Sequence, residues 1–242
     1  MIGKSYLCAL FCCLRCILYP GTKICIASKT RNQSINILDE KIVKELIPNS
    51  PNLKSEIKEI IINQSQACIK FRNDSYIEVV TASDTSRGYR ANLLICDEYR
   101  MIDKDTIDLV LKHFLTAPRH PRYLDNPKYA HLTERNIQMY LSSPWFQSHW
   151  SWELCKDYFL NMLSPDKQYF CFRFPYQMSI REGLLLKDHV EDEMSEASFS
   201  DLKFRMEMQA EWISVTDGGL FNYDDINHVR NIRQAFYAPG SV

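Results

Sequence analysis

Apolar positions along this chain fall into two kinds of pattern. Residues 6–19 form an apolar stretch interrupted only by Arg15, while 24–27 and 93–96 are short apolar runs without polar alternation. The first kind predicts a buried helix. The second is too short for a globular helix and reads as strands buried on both faces, as in a parallel sheet covered by helices. Pro20-Gly21 supplies a turn between that helix and a strand at 23–28. Ile35, Leu38, Ile42, Val43 and Leu46 then keep helical spacing until Pro48 and Pro51 end it. Residues 67–71 and 76–80 flank the polar turn Arg72-Asn73-Asp74-Ser75 and predict an antiparallel hairpin.

Downstream, a polar loop at 83–91 carries Arg87 and Arg90 immediately before the buried run. The pattern then predicts an amphipathic helix over 103–117 opening at Asp103, and a mobile, proline- and charge-rich loop over 118–135. Strands are expected over 137–141 and 168–174, and helices over 187–194 and 198–210. The turn Asp217-Gly218-Gly219 leads into a tail that reads as a linker. The chain is expected to comprise one domain over 1–212 and that linker over 213–242.

Composition narrows the class. With 242 residues, 45% hydrophobic and 24% charged, the chain is large enough for one sizeable α/β core. A net charge of −1 provides no global basic field, so any nucleic-acid contact must be a local patch. The stretch 6–19 is shorter than the roughly twenty apolar residues a spanning helix needs, and no small-residue cleavage site follows it. No membrane contact and no secretion are therefore expected. Of nine cysteines, Cys8, Cys12, Cys13 and Cys16 lie inside that stretch, without a histidine at zinc-ligand spacing. They read as reduced, buried small hydrophobes of a cytosolic protein.

Three places carry candidate chemistry. The run 92–96 ends in Asp97-Glu98, and carboxylates at the exit of a buried parallel strand stand where open α/β sheets bind ligands. An apolar strand followed by Asp-Glu is the Walker B arrangement, in which Asp97 orients a Mg²⁺ shell and Glu98 polarises the attacking water. The structural alternative is a helix-capping Asp97 and a solvated Glu98. Gly3-Lys4-Ser5, running into the apolar helix, matches the second half of a Walker A loop. There Gly3 admits phosphate to the backbone amides, Lys4 bridges the β and γ phosphates, and the Ser5 hydroxyl binds Mg²⁺. Ser142-Ser143-Pro144 follows the strand 137–141, where a hydroxyl can contact a γ-phosphate; the alternative is a cap for a helix beginning near Gln147.

The segments Arg87-Gly88-Tyr89-Arg90-Ala91-Asn92-Leu93-Leu94-Ile95-Cys96-Asp97-Glu98, Leu141-Ser142-Ser143-Pro144-Trp145 and Gly218-Gly219-Leu220-Phe221 together resemble the large terminase subunit of tailed bacteriophages. The resemblance spans residue 3 to about 226. It implies an α/β P-loop NTPase of the ASCE type, a mainly parallel sheet flanked by helices, with the first strand and the front of Walker A missing. That missing strand is expected to leave a gap in the middle of the sheet, with Lys4, Ser5, Asp97, Glu98 and Ser142 converging at one end.

The resemblance further implies a DNA-packaging motor in the cytoplasm of an infected bacterial host. ATP and Mg²⁺ would be its cofactors, and double-stranded DNA, the portal protein and the small terminase subunit its partners. The motor would assemble as a homo-oligomeric ring, usually a pentamer. Gly3, Lys4 and Ser5 match its Walker A end, Ser5 and Asp97 its metal ligands, and Glu98 its catalytic base. Ser142 and Ser143 match its coupling motif, and Arg87 an arginine finger, with Arg90 as the alternative. The nuclease domain of the family lies outside this sequence. Two other readings compete: a defective P-loop remnant that acts as a binding or assembly module, and a superfamily 2 helicase. The helicase box would require His or Asp where Arg100 stands.

Overall fold

The computed structural model describes residues 3–83 and 86–214. It divides into two compact units, Met1–Ser143 and Pro144–Val242. The division falls inside the span 1–212 that the sequence reading assigns to a single domain.

The first unit is built on a six-stranded sheet with the order β2-β3-β4-β1-β5-β6. Helix α1 (Lys4–Leu18) precedes β1 (Lys23–Ser28), which runs parallel both to β4 (Tyr76–Thr81) and to β5 (Leu93–Asp97). β6 (Ile137–Leu141) extends the parallel part beyond β5. β2 (Ile57–Ile62) and β3 (Ala67–Phe71) add an antiparallel edge, so the expected 67–81 hairpin is present as β3 and β4. The sheet is therefore mixed but mainly parallel and flanked by helices, as expected.

The expected gap in the middle of the sheet is overturned. Ile24 faces Leu93 and Ile26 faces Ile95 in one ladder, so the strands that follow α1 and end at Asp97 are direct neighbours with nothing between them. β2 was not anticipated. Its burial is low, with Ile60 and Ile62 exposed, as befits an edge strand whose apolar positions do not alternate cleanly.

Burial explains why the short apolar runs became strands. Ile24, Ile26, Leu93, Leu94 and Ile95 are all within 1% of complete burial, because helices cover both faces of the parallel strands. Each such side chain contributes about 1.5–3 kcal/mol relative to exposure. On α1, Cys8, Ala9, Cys12, Cys13 and Cys16 line the buried face, and these small side chains let the helix approach the sheet closely. Cys13 and Cys16 stand at C-x-x-C spacing, yet burial pushes both thiols up, Cys13 to about 12. They stay protonated, and among the described residues no group of His, Cys, Asp and Glu could hold a metal ion by itself. Nor, among those residues, is any helix long and apolar enough to cross a membrane.

The helix expected after β1 is present with a change of pitch. α2 (Arg31–Asn36) continues as a π-helix over Ile37–Leu46 and ends in the short turn α3 (Ile47–Asn49). Ile37, Leu38, Ile42 and Leu46 face the core. Pro51 then opens α4 (Pro51–Glu56), capped by the Ser50 hydroxyl. The helix expected over 103–117 is shorter: α5 (Lys104–Leu109) passes into a 3-10 turn at Leu111–Phe114.

The segment 118–135 departs from the mobile loop expected of it. It holds 3-10 turns at Arg122–Asp125 and Pro127–Leu132, and buried Arg119 anchors it. Arg119 donates to the Pro20 carbonyl (3.1 Å), to the Tyr123 hydroxyl (2.9 Å) and to Glu134 (3.3 Å), and Glu134 also pairs with Arg15. Arg15 in turn lies 3.7 Å from the Tyr19 ring centroid. Proline and charge read as solvated loop from sequence alone; one buried guanidinium network ties that loop down.

The second unit, by itself, carries α6 (Trp150–Met162), α7 (Tyr176–Arg181), α8 (Lys187–Ser195) and α9 (Asp201–Glu207). A parallel bridge joins Phe146 to Ile213, and these two pack with Met206. The strand expected over 168–174 is not part of any ladder among the described residues. Phe170 and Phe172 are largely exposed and pack on one another, and Phe172 packs on Phe174. Alternating aromatics make a segment competent for a ladder, but a ladder forms only where a neighbouring strand is available. The turn at 217–219 and most of the linker lie outside the described residues.

Candidate active site

The carboxyl end of the parallel strands gathers most of the candidate residues. Gly3 is the N-cap of α1 and adopts φ +70°, a left-handed conformation that a side chain would strain, with open space where a Cβ would stand. The first turn of α1 contains no acidic residue, so its free amides and positive dipole end suit an anion. Lys4, the first residue of α1, donates from Nζ to Glu98 Oε1 at 2.9 Å. The Ser142 hydroxyl donates to the other carboxylate oxygen, Oε2, at 3.1 Å. Ladder register explains the second contact: Asp97 faces Leu141, so β5 and β6 end level and their next residues meet.

Glu98 thus connects three chain segments, and its backbone is held at φ +47°. For a glutamate this left-handed conformation costs on the order of 1 kcal/mol, and such residues cluster at functional sites. The turn Tyr99–Met101 that follows sends Arg100 back, with Nε 3.8 Å from Glu98 Oε2. In the sequence, Arg100 stands out only as the residue where a helicase box would require His or Asp. Its placement two residues after an acid in a tight turn was the available signal.

Asp97 closes β5 and is only 8% exposed, so it is a buried strand residue and not a helix cap. Burial, and then the like charge of Glu98, push its carboxyl up to about 6, while Lys4 and a backbone hydrogen bond from Glu98 oppose the shift. A buried carboxylate beside a second one, with a single lysine shared between them, is chemically suited to a divalent cation. Ser5 follows Lys4 in the first turn of α1 and is half-buried. Ser143 is half-buried beside Ser142 at the exit of β6.

Arg87 and Arg90 lie elsewhere. Their loop leaves the carboxyl end of β4 and returns to the amino end of β5, where the Tyr76 hydroxyl donates to the Arg90 carbonyl at 2.8 Å. Both side chains are exposed. Gly3, Lys4, Ser5, Asp97, Glu98, Ser142 and Ser143 are thus brought to one end of the sheet, whereas the two arginines sit on the loop that traverses it.

The topology, α1 leading into a mainly parallel sheet whose carboxyl end collects a lysine, paired acids and a serine, is a P-loop NTPase-like fold. Solved structures make the class more specific. The ATPase domain of the large terminase of a Thermus phage matches with a TM-score of 0.60 at 17% identity, covering 88% of this chain and 85% of that one. The large terminase of a thermophilic bacteriophage in complex with ATP-gamma-S matches with a TM-score of 0.58 at 11% identity, covering 88% of this chain and 45% of that one. In complex with ADP it gives 0.56 at 12%. No family profile matches the chain, and no curated protein matches its sequence. Identities this low carry the fold: this chain has the fold of a large-terminase ATPase domain.

Proposed function

We propose that this chain is the ATPase motor domain of a viral terminase large subunit, coupling ATP hydrolysis to the movement of double-stranded DNA into a procapsid. The observation that carries the reading is the Lys4–Glu98–Ser142 constellation, placed at the carboxyl end of a sheet with a large-terminase ATPase fold. Neighbours of that fold bind ADP and ATP-gamma-S, which supports a nucleotide as the ligand.

In this reading the amides at the start of α1 and the Lys4 ammonium hold the β and γ phosphates. Ser5 and Asp97 would hold Mg²⁺, which supplies charge neutralisation of the phosphates when bound. Glu98 accepts the proton of the attacking water, and Ser142 and Ser143 register the γ-phosphate through the hydrogen bond that already joins Ser142 to Glu98. Lys4 cannot serve phosphate and Glu98 equally well. Nucleotide binding therefore draws Lys4 from the carboxylate and leaves Glu98 free to take a proton. Arg87, exposed on its loop, acts as a finger toward a neighbouring subunit of a homo-oligomeric ring, with Arg90 as the alternative. Double-stranded DNA, the portal protein and the small terminase subunit are the partners of that assembly in the cytoplasm of the infected host.

Calorimetric titration of the chain with ATP-gamma-S, beside Lys4→Ala and Glu98→Gln, tests the reading. Binding by the wild type, weakened by Lys4→Ala and kept by Glu98→Gln, is the expected result. Binding unaffected by Lys4→Ala would place the nucleotide elsewhere and overturn the assignment. Binding without turnover would leave the chain a P-loop remnant serving as a binding module.

A further inference from the structure

We propose that Cys155 and Cys171 form a reversible redox staple, in which exchange with a low-molecular-weight disulfide joins the two sulfurs and fastens the segment 168–174 to α6. All nine cysteines are free thiols, and the seven from Cys8 to Cys96 are buried in the first unit. Cys155 and Cys171 differ from them. Both are half-buried, both belong to the second unit, and their sulfurs share a hydrogen bond at 3.8 Å. A disulfide bond is about 2.05 Å long, so closure asks each sulfur to move by roughly 0.9 Å, within reach of small rotations of two half-exposed side chains.

The segment that the staple holds has little else to fasten it. Among the described residues its backbone makes one hydrogen bond, from the Cys171 amide to Met162 Sδ at 3.2 Å. Tyr169 adds an edge contact to Tyr158, with ring centroids 5.0 Å apart. Cys155, Tyr158 and Met162 recur at i, i+3 and i+7 along α6, so a single face of that helix receives the segment. The intervening Phe170 and Phe172 are largely exposed. A stretch held by so few contacts opens by local fluctuation. A covalent link between positions 16 residues apart removes those open states.

Burial sets the order of the chemical steps. Desolvation, and then the proximity of Cys171, push the Cys155 thiol up to about 12, against a hydrogen bond with Trp212. Cys155 therefore keeps its proton, and Cys171 reacts first. Cys171 gives its proton to solvent, and its sulfur attacks one sulfur of the small disulfide, whose S–S bond breaks and releases a thiolate. Cys155 then gives up its proton as its sulfur attacks Cys171 Sγ, the mixed S–S bond breaks, and the second thiolate leaves. Each released thiolate takes up one proton. The protein loses two electrons and two protons, and the small disulfide becomes two thiols. With small thiols in excess the same steps run backwards, and the pair rests reduced. Nucleotide turnover at Glu98 has no part in this exchange.

The test treats the full chain with glutathione disulfide and follows it by intact-mass spectrometry, peptide mapping and timed chymotrypsin digestion, beside Cys155→Ser and Cys171→Ser. Circular dichroism confirms folding of each variant, the seven buried cysteines of the same chain serve as the control, and the wild-type arm decides by itself if a variant does not fold. The expected product has lost two hydrogens, carries a Cys155–Cys171 link and is restored by dithiothreitol. Linkage slows cleavage after Phe170 and Phe172 by about tenfold or more, since local opening must precede cleavage. Cys155→Ser instead accumulates a glutathione adduct on Cys171, Cys171→Ser reacts about tenfold more slowly, and neither gains protection. Reaction at a buried cysteine ahead of this pair, a lasting adduct on the wild type in place of the link, no reaction at all, or a linked chain digested as fast as the reduced one would overturn the staple.

Discussion

At the carboxyl end of the sheet, Lys4 and Ser142 both donate to Glu98, and Arg100 lies at ion-pair distance from it, so three chain segments meet there. In the loop before β5, Arg87 and Arg90 face a cavity whose wall, among the described residues, holds no carboxylate. Both regions are polar and both belong to the first unit, yet one is closed on itself and the other is open. The difference is one of supply: β5 and β6 end in register and deliver an acid and a hydroxyl to the first residue of α1, whereas among the described residues no acid lines the cavity beside the loop. A ligand at the first region must compete with an existing ion pair. At the second, the only bond given up among the described residues is that of the Arg90 guanidinium to the Tyr89 carbonyl.

The largest expected effect comes from Glu98. Glu98→Gln keeps nucleotide binding and lowers single-turnover ATP hydrolysis by at least ~10²-fold, because an amide can orient water but cannot accept its proton. Rapid-quench measurement at saturating ATP reads this, and turnover equal to wild type would remove Glu98 from the chemistry. Next, Lys4→Ala is expected to weaken ATP binding by about 10- to 100-fold, the range of a hydrogen bond to a charged group. The same change should move folding stability by less than ~1 kcal/mol, since the Lys4–Glu98 pair is partly solvated. A large loss of stability instead would make the pair a structural clamp.

Asp97 sharpens the contrast through pH. Its folded value of about 6 lies above the ordinary 3.8, so the folded chain holds this proton more tightly than the unfolded chain does. The group's contribution to stability is complete below about pH 4 and is lost as pH rises through about 6. Asp97→Asn should therefore be more stable than wild type at pH 8, by ~1–3 kcal/mol, and equal to it near pH 4. Urea midpoints at the two pH values decide this; a difference that does not change with pH would mean that Asp97 carries no uncompensated charge.

Backbone strain gives a smaller effect. Glu98→Ala and Glu98→Gly both delete the carboxylate, but only glycine adopts φ +47° without cost, so Glu98→Gly should be the more stable of the two by ~1 kcal/mol. Equal unfolding free energies would show that the left-handed backbone stores no strain. Smallest of all, Arg87→Ala and Arg90→Ala should each change stability by less than ~0.5 kcal/mol, because neither side chain is buried or paired with an acid. A Tm drop of several degrees in either would mean that the open region is closed after all.

Local pattern determined a good deal of this protein. The apolar runs at 24–27 and 93–96 read as buried strands, the hairpin at 67–81 followed from alternation about a polar turn, and Asp97-Glu98 at a strand exit marked a candidate site, because these signals depend on neighbours along the chain. Tertiary structure decided the rest. That β1 and β5 pair directly, without a gap, is a matter of which ladder buries most apolar surface, and no stretch of sequence states it. That 118–135 is anchored depends on Arg119, Glu134 and Arg15 meeting in space. The contact of Ser142 with Glu98 depends on register between two strands separated by a long insertion. The segment 168–174 shows the same limit from the other side: alternating aromatics make it competent for a ladder, but ladder bonds require a partner that local sequence cannot supply. Periodicity sets what a segment is able to become, and long-range packing and hydrogen bonding select among those possibilities, since only they bring distant charges and distant backbones into contact.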